Sequence, residues 1–253
     1  MSLSRSMFCK FSKATAALVL LAASASAHTD IVSPNGGEVL APGSTFTVEW
    51  TILVQHNQTS WDLWYSTTGA SGPWIPIATN LAPGSPAVGS IHSYAWTVPN
   101  TPSNDVYVRV RMNNPGPDYY GVSDAALAIG DAAQATLRNG TGINPVVFSS
   151  VTPPAIGTTW VTSVDHSGHP GATATYLLVY SAPATGPVLR AGELLVSGTK
   201  LFAESMASSG TVDLHSNTIP NDVSLVGAVG YAQAAIFGGA AELTNALDLT
   251  LGF

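Results

Sequence analysis

The sequence predicts an all-β protein of two β-sandwich domains, an immunoglobulin-like one followed by a jelly-roll-like one. Only 9% of the residues are charged, and the 24 glycines and 17 prolines supply many turns. Many short segments alternate apolar and polar residues, as strands with one buried face do. The only cysteine, Cys9, lies in a segment that we expect to be removed, so stability must come from burial, which a chain of this length can provide.

Residues 1–27 have the three parts of an export signal. Three basic residues precede an uncharged apolar run, residues 14–23, and small residues then follow. The run is too short to span a bilayer, and no later segment is long and apolar enough, so we expect no membrane span. The triplet Ala25-Ser26-Ala27 favours cleavage after Ala27, which leaves His28 first; cleavage after Ala25 is the alternative. The sequence therefore predicts a secreted or periplasmic protein.

The charge of the cleaved chain excludes some partners. Three of the eight basic residues lie in the signal segment, whereas all fifteen acidic residues follow it. The remaining five basic residues leave a net charge of −10 with histidine neutral. A chain this acidic is not expected to bind nucleic acid or an anionic membrane surface.

The first domain is assigned to residues 28–130. Its clearest strand, TFTVEWTILVQH, places every second residue from Phe46 to His56 on one face. Further strand-like segments follow at regular spacing, separated by Gly, Pro and Asn turns: WDLWYS, WIPIAT, HSYAWTV, VYVRVRM and DAALAIG. Six or seven short strands in about 100 residues are typical of an immunoglobulin-like sandwich.

Residues 31–129 resemble a known secreted module. The stretches SPNGGEVLAPGSTFTVEW, WDLWYSTTGASGPW and YAWTVP are similar to the immunoglobulin-like module of many secreted bacterial proteins and of fungal cell-wall glucan-assembly proteins. The resemblance implies the fold and leaves the function open, because such modules serve many purposes.

The second domain is assigned to residues 131–253, after an alanine-rich joint. Seven or eight strand-like segments can be marked there, among them VVFSSV, TTWVTSVD, ATYLLVYSA and TVDLHS. Their number and their Gly and Pro turns predict a jelly-roll-like sandwich.

Three histidines of the first domain are predicted to lie at one end of the sandwich. His28 starts the first strand, His56 ends the second and His92 starts the fifth. If each connection reverses the chain direction, these positions meet at the same end. The loop NNPGPDYYG falls there too and brings Asp118 beside Tyr119. The candidate metal set is therefore His28, His56, His92 and Asp118.

A histidine at the start of a chain offers a metal two nitrogens, its α-amine and its imidazole Nδ1, which close a chelate ring. A second imidazole completes a T-shaped set of three nitrogens, the histidine brace. Nitrogen ligands in tetragonal geometry suit copper(II), which also heads the divalent affinity order. We therefore predict copper(II) as the cofactor.

His28 resembles the first residue of two brace families on immunoglobulin-like scaffolds, the periplasmic copper carriers and the lytic polysaccharide monooxygenases. Only His28 matches their motif directly; His56 and His92 are assigned by their positions in this sequence. The resemblance implies copper binding, with transport in one family and oxidative glycan cleavage in the other.

Three functions are compatible with these observations. The first is an exported copper(II)-binding protein that carries or sequesters the metal. The second is a non-catalytic surface or matrix module that binds polysaccharide or a protein partner, with Trp64 or Trp74 stacking on a sugar ring. The third is a copper-dependent oxidative enzyme. We expect a binding protein rather than an enzyme.

Other constellations in the second domain are less specific. Asp165, His166 and His169 in VDHSGHPG have spacing that can bind zinc, but a turn capped by Asp165 is the simpler interpretation. Ser163 with His166 and Asp165 lacks a nucleophile-elbow pattern. Glu193 and Glu204 form a carboxylate pair of the kind that glycosidases use, as many acid pairs would.

Overall fold

The computed structural model describes residues 28–253, so the predicted signal segment lies outside the described residues. The described chain is built from strands and one short 3₁₀ helix, Val223–Leu225. The prediction of an all-β protein with sandwich domains is confirmed. Within residues 28–253, no helix has the length and apolarity needed to cross a membrane.

The first sandwich contains nine strands. In chain order they are β1 Thr29–Ser33, β2 Val39–Leu40, β3 Thr45–Ile52, β4 Ser60–Ser66, β5 Ile75–Leu81, β6 Ile91–Thr97, β7 Ser103–Asn113, β8 Tyr119–Val122 and β9 Leu127–Ile129. One sheet has the order β1-β3-β6, and the other has the order β2-β9-β7-β4-β5 with β8 paired to β7. This arrangement is immunoglobulin-like.

The core of the first sandwich fills the space between these sheets. Trp50 on β3 and Trp61 on β4 are fully buried, and their rings meet edge to face with centroids 5.7 Å apart. The alternation predicted for TFTVEWTILVQH holds as far as Ile52 and then stops, so the strand ends before His56. The change follows from the amides of Leu53 and Val54, which both donate to the carbonyl of His28 instead of continuing the ladder.

The PNGGE segment forms a closed turn that explains its composition. One carboxylate oxygen of Glu38 accepts from the amide of Asn35, and the other accepts from the amide of Gly36, each at 2.8 Å. The Asn35 side chain in turn bonds to Asp124 at 2.9 Å and accepts from the Asp124 amide at 2.8 Å. The motif therefore fixes the start of the domain to the loop before β9.

The second sandwich contains ten strands: β10 Gln134–Arg138, β11 Phe148–Ser150, β12 Thr159–Asp165, β13 Ala174–Pro183, β14 Val188–Leu189, β15 Gly192–Glu193, β16 Val196–Ala207, β17 Val212–Thr218, β18 Val229–Phe237 and β19 Glu242–Thr250. Its sheets have the orders β11-β12-β17 and β10-β19-β18-β13-β16, with β14 and β15 forming a separate two-stranded ribbon. Each sheet of the described chain draws its strands from one side of residue 130.

The two sandwiches share one strand order. When β2, β8, β10, β14 and β15 are set aside, the first, second and fifth of the remaining strands form one sheet of each domain, and the seventh, sixth, third and fourth form the other. This order refines the jelly-roll-like description of the second domain to an immunoglobulin-like one. The domains differ at the outer edge, where β2 pairs with β9 in parallel and β10 pairs with β19 antiparallel.

Candidate metal site at one end of the first sandwich

His28 and His56 face each other at one end of the first sandwich. The Nδ1 atom of His28 lies 2.8 Å from the Nε2 atom of His56, and the rings stack with centroids 4.9 Å apart and planes 15° apart. One of the two nitrogens carries the hydrogen of this bond and the other accepts it. The contact brings together two ring nitrogens, one from each histidine, that can each bind a metal once they carry no hydrogen.

The backbone fixes this pair. The carbonyl of His28 accepts from the amides of Leu53 and Val54 at 3.0 and 3.2 Å. These bonds hold the segment that follows β3 against the start of β1, and His56 comes two residues later. The two histidines meet because the first strand and the loop after its partner strand are tied together.

Tyr119 covers both imidazoles. Its ring centroid lies 3.9 Å from that of His28 and 4.4 Å from that of His56. Its strand, β8, approaches β1 closely at Gly121, where an added Cβ would lie 2.6 Å from the carbonyl oxygen of Thr29. Only glycine permits this approach, so the Tyr119 position depends on Gly121. Sequence reasoning placed Tyr119 at this end but did not foresee that it stacks on His56 and packs at a tilt against His28.

The open side of the pair borders a small cavity of about 220 Å³. His56, Asn57 and Tyr119 line it together with residues 114–117 of the loop before β8. A ligand can therefore reach His56 from the solvent side.

His92 lies apart from this pair. It stands opposite Trp50 in the β3–β6 register, and its ring packs against Trp50 and Trp61 with centroids 5.7 and 5.0 Å away. Its Nε2 atom is buried and without a hydrogen-bond partner among the described residues. Burial lowers the pKa of His92, and a backbone hydrogen bond with Ser85 partly offsets the effect. His92 is therefore partly buried against Trp50 and Trp61 on the inward face of β6.

Asp118 also has other partners. One of its carboxylate oxygens accepts from the Asn114 amide at 3.2 Å, and the other lies 3.6 Å from the Arg111 guanidinium. In the part of the chain that the structure describes, no three His, Cys, Asp or Glu side chains are arranged to hold a metal. Of the four predicted ligands, the structure brings together His28 and His56.

The residues of the VDHSGHPG turn point to separate partners. Asp165 accepts from the Ser167 amide at 2.9 Å, which is the capped turn that the sequence favoured. His166 lies 3.4 Å from Asp213, and Ser163 bonds to Ser149. Neither a zinc site nor a serine triad is assembled from them.

Glu193 and Glu204 are likewise engaged separately. Glu193 accepts from the Thr141 amide and hydroxyl at 2.8 and 2.6 Å. Glu204 accepts from Asn217 at 3.1 Å and lies 3.2 Å from the Nδ1 atom of His215. These bonds tie the two carboxylates to different structural networks.

His169 gives a pH-dependent link in the second domain. Its Nδ1 lies 2.9 Å from Glu242 and its Nε2 lies 2.9 Å from the Gly238 carbonyl, so both nitrogens donate only when the ring is protonated. The hydrogen bond to Glu242 raises the pKa of His169 above its usual value.

We therefore expect His169→Gln to lower the stability of this region by roughly 1 kcal/mol at pH 5.5. A raised folded-state pKa means that the stabilisation is complete below about pH 6.5 and is lost as the pH rises through the higher folded-state value. Hydrogen exchange of peptides covering residues 166–172 and 237–243 measures it. A difference between the two proteins that stays constant from pH 5.5 to 8.5 would contradict the assignment.

Trp64 and Trp74, the two half-buried tryptophans considered for sugar binding, lie against arginine side chains. The Arg109 guanidinium lies 4.8 Å from the Trp64 ring and 4.3 Å from the Trp74 ring, and 5.2 Å from that of Tyr120. Arg111 lies 5.2 Å from the Trp64 ring as well. These cation–π contacts cover part of the Trp64 and Trp74 ring surfaces on which a sugar would stack.

Comparison with known proteins gives remote structural likeness only. No family model matches the sequence, and no curated protein matches it significantly. The chain is similar to the fibronectin(III)-like modules of Clostridium thermocellum CbhA (9% identity, 88% of this chain, 93% of that chain, TM-score 0.27).

Two further solved structures are similar to the same degree. They are the chicken CNTN1 FN1-FN3 domains (13% identity, 88% of this chain, 64% of that chain, TM-score 0.27) and an ICAM-5 D1-D4 ectodomain fragment (14%, 88%, 53%, TM-score 0.29). The class of the protein, a pair of immunoglobulin-like sandwiches, rests on its own strand order.

Proposed function

We propose that the protein is exported and binds one copper(II) ion through His28 and His56. Cleavage after Ala27 frees the α-amine of His28. This amine and Nδ1 of the same residue supply two nitrogens, and Nε2 of His56 supplies the third. The observation that carries the proposal is the 2.8 Å contact between these two imidazole nitrogens. Nδ1 is the ring nitrogen of His28 that can chelate together with its own α-amine.

The separation of the two nitrogens fits a shared metal. Nitrogens that bind one metal at about 2.0 Å each lie about 2.8 Å apart when they are adjacent ligands at a right angle. The observed contact has this length. An ion in place of the bridging hydrogen can keep this nitrogen separation, but both rings must turn, because the ion lies off the line that joins the two nitrogens.

The donor set favours copper(II) over other metals. Three nitrogens without a thiolate suit copper(II), which binds more tightly than the other divalent first-row ions. The chain has no cysteine after Cys9, and Met112, on the strand that leads to the site loop, is fully buried in the core. A soft copper(I) or blue-copper site therefore has no ligand here.

A carrier or sequestration role agrees best with the surroundings of the pair. Tyr119 packs against both rings, and a small cavity leads to His56. Trp64 and Trp74, on which a glycan would stack, are half-buried and in contact with Arg109. In this proposal the first domain is a secreted module of the kind that carries the PNGGE motif. The turn that this motif forms fixes the end of β1, the strand that directly follows His28.

The test is a copper titration of exported protein whose first residue is His28, with mass spectrometry of the N-terminus. One equivalent of copper(II) is expected to bind. Affinity is expected to fall as the pH drops from about 8 to 5, because the α-amine (pKa about 7.7–8.0) and the imidazoles (about 6.5) must lose protons to bind. A mature protein that starts at Ser26, or that binds no copper, would overturn the proposal.

A further inference from the structure

The second sandwich is open on one side, between the edge strands β16 and β17. These strands end their respective sheets, so no backbone ladder closes the gap between them. A cavity of about 450 Å³ lies there. Small-molecule sites in proteins have volumes of about 300–1,000 Å³, so the cavity is large enough for a ligand.

The cavity runs from the surface into the core. Its inner wall includes Trp160 and Leu249, which are buried members of the second hydrophobic core. Its mouth is formed by Leu201 and Val229, whose side chains are 56% and 55% exposed. Gly230 on β18 also lines the cavity, and a Cβ added there would lie 3.3 Å from Val179 and 3.9 Å from Leu249, which line it too.

The lining determines the chemistry of a ligand. It contains no charged residue, and its polar groups are those of Asn217 and Thr218 on β17. Asn217 donates to the Glu204 carboxylate at 3.1 Å, so a negative charge lies beside the polar end of the cavity. A ligand carboxylate would be repelled there and would find no cation in the lining, whereas a hydroxyl would find neutral hydrogen-bonding partners.

We propose that this cavity binds an uncharged, mainly apolar small molecule whose only polar group is of the hydroxyl type. The apolar part replaces water against Trp160 and Leu249, and the hydroxyl lies against Asn217 and Thr218. This site is in the second domain and is independent of the copper site.

The chain offers a matched pair of variants for the test. Leu201 and Leu214 lie on neighbouring edge strands and are 56% and 54% exposed, but of the two only Leu201 lines the cavity. Because both side chains are largely in solvent, aspartate at either position is expected to leave the fold intact. Leu201→Asp places a charge at the mouth, and Leu214→Asp controls for the loss of a surface leucine.

The probe is the neutral dye N-phenyl-1-naphthylamine, whose fluorescence rises in apolar surroundings, titrated into the full mature protein at pH 8. We expect saturable binding of one dye, at least tenfold weaker binding to Leu201→Asp and unchanged binding to Leu214→Asp. We also expect 1-decanol to displace the dye at concentrations where decanoate does not.

Four results would overturn the inference. One is the absence of saturable dye binding. Equal weakening of dye binding by both aspartate variants would indicate general surface adhesion. Equal displacement by decanoate would refute the neutral ligand class. A native dimer that Leu201→Asp converts to a monomer in sedimentation would show that a second copy covers the mouth instead.

Discussion

Replacing His56 with alanine is expected to weaken copper(II) binding by about 100-fold or more. Loss of a group that merely orients a metal ligand already costs about 10- to 100-fold in affinity, and His56 is proposed to be a ligand itself. The substitution removes the nitrogen that lies 2.8 Å from Nδ1 of His28. Isothermal titration of the native and variant proteins at pH 7.5 measures the change.

His92 is the matched control for this experiment. It is the remaining histidine of the first domain, and it packs against Trp50 and Trp61. His92→Gln is expected to leave copper affinity within about twofold, because that ring packs against Trp50 and Trp61 and not in the His28–His56 pair. If His92→Gln were as harmful as His56→Ala, a three-imidazole site would replace the proposed one.

Asp213→Ala is expected to destabilise the second domain by about 3 kcal/mol. The carboxylate is buried and accepts from the Thr175 and Ser208 hydroxyls at 2.8 and 2.7 Å, while His166 lies 3.4 Å away. Removing it leaves the Thr175 hydroxyl and the His166 imidazole buried with fewer partners. Hydrogen exchange of peptides from β13 and β17 reports the loss for this domain alone.

The expected pH dependence of this effect has a definite sign. Burial alone would raise the pKa of Asp213, but the hydrogen bonds from Ser208, Thr175 and Ser209 outweigh it and lower the pKa. The stabilisation is therefore present above about pH 3.8 and is lost as the pH falls through the lower folded-state pKa. Asp165→Ala is the control, since that exposed carboxylate only caps a turn; an equal loss in both variants would contradict the network.

Strand alternation predicted the first sandwich well because its buried face is apolar. Val48, Trp50 and Ile52 follow the period of two and are all buried. The alternation ends at Ile52 because the next two amides donate to the His28 carbonyl. A periodic sequence pattern does not predict such a bond. Counting the reversals of chain direction placed His28 and His56 at one end, where the structure also has them. The count does not specify how deeply a side chain at that end is buried, and it therefore also included His92.

The second sandwich shows why its topology was harder to predict. On β17, Asp213 and His215 face inward and Val212 and Leu214 face solvent, which is the reverse of the usual pattern. Asp213 accepts from the Thr175 and Ser208 hydroxyls, and the Nδ1 atom of His215 lies 3.2 Å from the Glu204 carboxylate. These partners lie on β13 and β16 and in the loop before β17, so a pattern within β17 does not reveal them. The strand order that the two domains share could not be predicted from the sequence either, because different residues fill the equivalent positions.

The most direct test of the copper site is to acetylate the α-amine of His28 in the processed protein. Acetylation keeps both imidazoles and their 2.8 Å contact but removes the amine as a ligand. We expect electron paramagnetic resonance of the copper(II) complex to show three nitrogen ligands in the native protein and the loss of one after acetylation, with a large fall in affinity. Identical spectra and affinities for the two proteins would contradict the proposal that copper binds at the chain terminus.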